Sequence, residues 1–211
     1  MPETSQSATR VDYVYRDKDI VAVNKPAGLL AVPGLCEPDN LYDRVLNDHA
    51  NARVVHRLDM ATSGLMLFAL NHTTQKALGQ LFERRLVTKQ YVAVLEGRVN
   101  SDCGELHSPL RCDWPRRPRQ IIDWHTGKAA STWFAVTERR SGSTRVNLKP
   151  YTGRTHQLRV HMCQLGHPIL GDRLYHDQGE QCERMYLHAE RLEFIHPSTQ
   201  QHLSLCCPAA F

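Results

Sequence analysis

The sequence predicts an α+β protein: one large mixed sheet, mostly antiparallel, carrying a few flanking helices. Two observations lead there. Strand-like and helix-like segments are interspersed without the regular strand–helix alternation that builds parallel sheets. No internal repeat or low-complexity linker divides the chain, and 211 residues suffice for one substantial core.

The elements follow in order. Ile20 to Val23 is rich in β-branched residues and ends at Lys25-Pro26, a strand followed by a turn. Leu41 to Asn47 reads as a short helix capped by Asp39 or Asn40. The apolar run Leu65 to Leu70 has the length of a buried strand. Thr73 to Arg84 places Ala77, Leu78, Leu81 and Phe82 on one helical face. Strand character returns over Lys89–Leu95, Ala130–Thr137 and Thr144–Leu148. Thr155 suits the cap of a helix running to Leu165, with Leu158, Met162 and Leu165 inward and Gly166 at its end. Leu192–Ile195 and His202–Cys206 complete the strands.

Composition narrows the class of protein. A balance of 41% hydrophobic and 23% charged residues is that of an ordinary soluble domain. The longest apolar run is far too short to span a bilayer as a helix, so no membrane role is expected. Residues Met1 to Arg10 are polar, lack the apolar centre of a secretory signal, and read as a mobile tail. Seven cysteines at irregular spacings fit reduced thiols in a cytoplasmic protein better than a disulfide framework. The net charge of +4 is modest, so its distribution matters more. Arg111, Arg116, Arg117, Arg119 and Lys128 cluster with Trp114, Trp124 and His125, opposed only by Asp113 and Asp123. A second set, Arg145, Lys149, Arg154 and Arg159, surrounds Gly153-Arg154-Thr155-His156. Either cluster alone reads as a solvated loop; two with interleaved aromatics suit a phosphate backbone and unstacked bases.

One acid stands apart. From after Asp48 to before Glu83 the only carboxylate is Asp59, in a turn-prone segment entering the Leu65–Leu70 strand. Loops entering core strands often present reactive groups, and an ionised acid there needs donors or a cation nearby. The plainer reading is an Asx-turn or a local pair with Arg57.

His56-Arg57-Leu58-Asp59 with Thr62-Ser63-Gly64-Leu65 resembles the central motif of the RluA-type pseudouridine synthases, in which the motif's Asp is catalytic. Asn24-Lys25-Pro26-Ala27-Gly28-Leu29 resembles the family's N-terminal signature. Lys89-Gln90-Tyr91-Val92-Ala93 is similar to the segment carrying its active-site Tyr. Gly153-Arg154-Thr155-His156-Gln157-Leu158-Arg159-Val160-His161 resembles the segment supplying its basic residue, and Gly166–Asp172 and Leu187-His188-Ala189 also fit. The matches run in order from about Asn24 to the C-terminus, and the chain is identified as a member of this family.

The resemblance implies the pseudouridine synthase catalytic fold, a bifurcated mixed sheet with a central cleft. It implies an isomerase that detaches uracil from C1′ and rejoins it through C5. Asp59 is then nucleophile or base, acting at C1′, at C6 or on the 2′ proton; the sequence leaves all three open. Arg154 is expected beside Asp59, where an opposite charge keeps the carboxylate ionised; its alternative is a phosphate contact. Tyr91 offers a ring to stack on uracil and a phenol for proton transfer. Leu158 is expected as an apolar pocket wall or a core residue. Arg57 is expected to fill the space left by a flipped base, or else to pair with Asp59.

Many family members carry an S4-type RNA-binding domain, but the signatures here begin near residue 20. Residues 11–211 are therefore expected to form a single catalytic domain that recognises RNA itself, as a monomer. Arg111–Gln120 resembles the segment of a subgroup that modifies a 23S rRNA hairpin loop and the anticodon stem-loop of certain tRNAs. Arg116, Arg117, Arg119 and Lys128 are then the expected RNA contacts.

Cofactors are not expected. No two of the 12 histidines lie three or four residues apart, no Cys-x-x-Cys occurs, and no Gly-rich loop suits a phosphate. The competing readings are a non-catalytic RNA-binding protein or chaperone of the same fold, and a base-releasing glycosidase. The second is disfavoured because no other acid lies near Asp59 in sequence.

Overall fold

A computed structural model describes residues 10–34 and 37–211. Of the expected tail, residues 1–9 lie outside the described residues. The chain runs β1 (Tyr13–Arg16), β2 (Ile20–Lys25), α1 (Leu41–Asp48), β3 (Arg53–Val54), β4 (Ser63–Ala69), α2 (His72–Glu83) and β5 (Thr88–Glu96). It continues with β6 (Cys103–Leu106), β7 (Leu110–Cys112), β8 (Gln120–Ile122), β9 (Thr132–Arg140), β10 (Ser143–Pro150), α3 (Gln157–Gln164), β11 (Leu187–Ile195) and β12 (His202–Cys206).

Ten strands form one sheet: eight run in the order β1-β2-β4-β11-β5-β10-β9-β6, β3 pairs with β4 and β12 with β11, and β7 pairs β8 in a separate hairpin. The expected bifurcation arises at β11. Its first residues pair in parallel with β4, His188 opposite Ser63 and Ala189 opposite Gly64. Its later residues, Arg191 to Ile195, pair instead with β12 while the other edge stays on β5. The sheet therefore forks where β4 and β11 part. Gly64, at φ +108, stands at the junction, where a Cβ would run into the Ala189 backbone.

β4 shows why the apolar run is unbroken: both of its faces are covered. Leu65, Leu67 and Ala69 pack with Leu78 of α2 and with Leu192 and Phe194 of β11. Met66 and Phe68 pack on the opposite face with Leu41 and Val45 of α1. A third cluster joins Ala93, Leu95, Phe134, Val146 and Leu148 of the other half-sheet to Leu158 and Met162 of α3.

Caps and ends refine the expected elements. Asn40 caps α1 by accepting from the Asp43 N–H at 2.9 Å, and Asn71 caps α2 by accepting from the Thr74 N–H at 2.8 Å. Thr155 does not cap α3; His156 occupies that position in the left-handed region (φ 54, ψ 16) without a side-chain cap. Nor does α3 bury only an apolar stripe. Every residue from Gln157 to Met162 is buried, including Arg159 and His161. β11 starts at Leu187, five residues before the expected strand, because its early residues pair with β4 and β5.

Candidate active site

The loop from Val55 to Thr62 joins β3 to β4 and lies in the fork of the sheet. β11 leaves β4 after Gly64, and β3 reaches only Phe68 and Ala69. The Leu67 N–H falls in the gap between them. His56 fills the gap: its Nε2 accepts the Leu67 N–H at 2.9 Å and its ring stacks on Phe82 at 4.6 Å. An acceptor at Nε2 requires a neutral ring, and burial pushes the His56 pKa down to about 3.

The N-terminal signature braces the same loop from the other side. The Lys25 side chain is fully buried and donates to the carbonyls of Pro26 (2.8 Å), Leu29 (2.6 Å) and Met60 (3.0 Å). The Gly28 N–H donates to the same Met60 carbonyl at 2.9 Å. Burial first lowers the Lys25 pKa to about 7, while the negative charge of Asp59 opposes that shift. The Thr62 N–H closes a turn onto the Asp59 carbonyl at 3.1 Å. Asp59 is thus held by its backbone neighbours on both sides, and its side chain is left to face an open cleft of about 560 Å³.

Arg57, Asp59, Tyr91, Arg154 and Leu158 all line this cleft. The cation beside Asp59 is a correction. Arg154 is exposed and its Nε donates to the Ala129 carbonyl at 3.1 Å. Arg159 takes the expected place, with Nη1 3.4 Å from Asp59 Oδ2. The reason is topological: Arg154 precedes α3, whereas Arg159 lies on the buried helix itself. Arg159 is fixed in turn by Asp172, whose two oxygens receive its Nε and Nη2, each at 2.7 Å. Asp172 also accepts the N–H groups of Leu174 (2.9 Å) and Tyr175 (3.2 Å). Asp172 is the second acid that sequence distance concealed. It is fully buried and engaged, so it cannot serve as the paired carboxylate of a glycosidase.

His156 Nε2 faces the same Asp59 Oδ2 at 3.8 Å. Asp59 Oδ1 makes no hydrogen bond among the described residues, which leaves one carboxylate oxygen free toward the cleft. Arg57 forms no ion pair with Asp59 within 4.0 Å among the described residues and is exposed at the rim. Leu158 combines its two expected roles, packing in the core around Met162 while lining the cleft. Burial and the Asp59 charge hold the Tyr91 phenol well above its ordinary pKa, so it keeps its proton at neutral pH. Lys89 adds a further cation, its pKa lowered to about 8 by burial and by Arg85.

The basic segment forms the β7–β8 hairpin. Trp114 and Trp124 are 66% and 69% exposed, more than packing would leave such large rings. Arg116 pairs with Asp113 at 2.7 Å, Arg117 lies over the Trp114 ring at 4.8 Å, and Lys128 projects into solvent. Arg119 differs from the expectation of a surface contact. It is half-buried, donates to the Leu174 carbonyl and lies 5.9 Å from the Tyr175 ring centre, so it docks the hairpin onto the body.

Sequence reading missed Arg159, His156, Lys25 and Asp172 as site-forming groups, although each lies inside a segment already noted.

Residues 19–164 match the RNA pseudouridylate synthase family. The chain is 46% identical over 203 residues to the dual-specificity RNA pseudouridine synthase RluA of Yersinia pestis, covering 94% of this chain and 98% of that protein. It is also 46% identical to RluA of Escherichia coli K12, covering 94% and 93%. The solved structure of human RNA pseudouridylate synthase domain containing 1 superposes with a TM-score of 0.85 at 31% identity, over 97% of this chain and 86% of that one. A sheet forked at β11, Asp59 in the fork and this extent of similarity agree: the chain belongs to the RNA pseudouridylate synthase family, the isomerases that convert uridine in RNA to pseudouridine.

Proposed function

We propose that this protein isomerises a uridine in a 23S rRNA hairpin loop and one in the anticodon stem-loop of certain tRNAs, with Asp59 as the catalytic group. The carrying observation is Asp59 Oδ1, a carboxylate oxygen without a hydrogen-bond partner among the described residues, beside a cleft that Arg57, Lys89, Arg154 and Arg159 line with positive charge. The dual-specificity naming of relatives at 46% identity supports the pair of substrates.

The target nucleoside must leave its stack to reach the cleft, at a cost of roughly a few kcal/mol that is least in a single-stranded loop. Arg57 at the rim enters the vacated space. Leu158 and the Tyr91 ring enclose the uracil. Asp59 attacks C1′, attacks C6, or removes the 2′ proton, with the Arg159 guanidinium 3.4 Å from its Oδ2. As C5 bonds to C1′ its proton must leave and N1 must gain one; the Tyr91 phenol gives its proton to N1 and takes the C5 proton in return, so it is unchanged over the cycle. Arg154 in the cleft and Arg116, Arg117 and Lys128 on the hairpin contact phosphates. The reaction is confined to the domain formed by residues 11–211, acting as a monomer in the cytoplasm without a cofactor.

Pseudouridine mapping of total RNA from cells with and without the protein tests this reading. Loss of one pseudouridine in 23S rRNA and one in tRNA anticodon arms is expected. An unchanged map, or release of free uracil from either hairpin by the purified protein, would overturn it.

A further inference from the structure

His156 has an uncommon set of constraints. It is a non-glycine residue in the left-handed region, a conformation costing about 1–3 kcal/mol that persists only where neighbours fix it. The fixing group is Gln157. Its Oε1 accepts from the Thr152 hydroxyl (2.6 Å) and the Arg154 N–H (3.0 Å). Its Nε2 donates to the Ser131 carbonyl (2.9 Å) and the Thr132 hydroxyl (2.9 Å). The turn is therefore locked from four directions, and the lock aims the His156 ring at Asp59.

The hydrogen bonds also favour one nitrogen as the carrier of the proton. The Tyr175 hydroxyl oxygen accepts the Gln120 N–H at 2.7 Å, so its own proton is free to go to His156 Nδ1 at 2.8 Å. Burial holds the Tyr175 phenol up at about 12, so that proton is present at neutral pH. Burial is also the largest influence on His156, and it lowers the imidazole pKa against the opposing pull of Asp59. A neutral ring that accepts at Nδ1 carries its hydrogen on Nε2, the atom 3.8 Å from Asp59 Oδ2.

We propose that His156 is a positioning residue for this reaction: its Nε2–H, set by Tyr175, closes on Asp59 Oδ2 beside Arg159 and turns Oδ1 toward the flipped nucleoside. The inference rests on Asp59 being the catalytic group. The 3.8 Å separation shortens to a hydrogen bond when RNA fills the cleft, as catalytic contacts that are long in a free enzyme commonly do. With Arg159 alone on Oδ2, the carboxylate is free to rotate about its Cβ–Cγ bond and present either oxygen.

Three variants test it in single-turnover reactions on a tRNA anticodon stem-loop, with RNA affinity measured separately. His156→Asn keeps an acceptor near Nδ1 for Tyr175 and tolerates the left-handed region, but it lacks the Nε2–H. Its rate is expected to fall about 10- to 100-fold, the range for losing one hydrogen bond to a charged group, with RNA affinity unchanged. His156→Gln restores an amide donor near the Nε2 position and is expected to recover part of that rate. Asp59→Asn reports on the parent reading. If His156→Asn turns over at the wild-type rate while Asp59→Asn is inert, the inference fails and Asp59 stands. If His156→Asn and His156→Gln are slowed equally, His156 only shapes the turn and the inference fails. An active Asp59→Asn removes the foundation of both.

Discussion

Arg159 holds Asp59 and Asp172 at once: two of its nitrogens lie 2.7 Å from the Asp172 oxygens, and Nη1 lies 3.4 Å from Asp59 Oδ2. The two acids have opposite fates. Asp172 is fully buried and spends both oxygens on Arg159 and backbone N–H groups. Asp59 opens to the cleft with one oxygen unengaged. The guanidinium fork makes this division possible, because its planar array of donors serves two carboxylates in fixed directions. Gly171 adjoins the anchor at φ +77, where a Cβ would meet the Arg184 carbonyl, so the Asp172 turn admits only glycine there.

Replacing the fork by a point charge separates the two arginines of this segment. Arg159→Lys keeps a cation near Asp172 but cannot hold both acids, and its single-turnover rate should fall at least about tenfold with RNA affinity retained. Arg154→Met should do the reverse, weakening RNA binding while the rate at saturation stays near wild type. Rate and affinity measured separately for both variants check the assignment; a rate loss confined to Arg154→Met would return the ion-pair role to Arg154.

The central strands were legible because their chemistry is local. β4 is covered on both faces and reads as an unbroken apolar run, while α1 announces itself through Asn40 and α2 through its apolar spacing. β1, β3, β6, β7 and β8 have two to four residues each, too short for a periodic signal, and exist because neighbours pair with them. At the site, Asp59, Tyr91 and Leu158 were found through motif resemblance, and the cleft brings them together. Arg154 was preferred to Arg159 on resemblance alone. α3 buries every residue from Gln157 to Met162, so an apolar stripe of Leu158, Met162 and Leu165 did not show that Arg159 lies inside as well.

Tyr91→Phe isolates the phenol from the ring. A phenol that gives a proton to N1 and takes one from C5 has no counterpart in Phe, so the variant should bind RNA normally yet slow turnover by about 100-fold or more. Retention of wild-type turnover would reduce Tyr91 to a stacking surface.

His56 makes stability fall toward acid. Its folded pKa is depressed to about 3 from the ordinary 6.5, so between those values the unfolded chain takes up a proton that the folded chain refuses. The contribution is complete above pH 6.5 and is lost as pH falls through the window, by up to about 1.4 kcal/mol per pH unit. His56→Gln keeps an acceptor for the Leu67 N–H and cannot titrate, so its unfolding free energy should fall less steeply from pH 6.5 toward 4. Urea titrations across that range measure the difference; parallel curves would show that His56 does not titrate on unfolding.

The β7–β8 hairpin divides its arginines by exposure. Arg116→Gln and Arg117→Gln should weaken binding to rRNA and tRNA hairpins alike, each flattening the log–log salt dependence by about 0.7–0.9. Arg119→Gln should leave that slope unchanged and instead loosen the hairpin at Leu174, because this side chain is committed to the body of the protein. Binding titrations over a range of salt distinguish the two classes. Loss of slope at Arg119 alone would reverse the assignment.

Asp59→Asn tests the central claim most directly, because it preserves the shape of the side chain and removes its charge. Pseudouridine formation by the purified variant on a tRNA anticodon stem-loop, followed under single-turnover conditions, should fall by many powers of ten, with unchanged melting temperature and RNA affinity. Turnover within about tenfold of wild type by the Asn variant would contradict the account, since a carboxylate acting as nucleophile or base cannot be replaced by an amide.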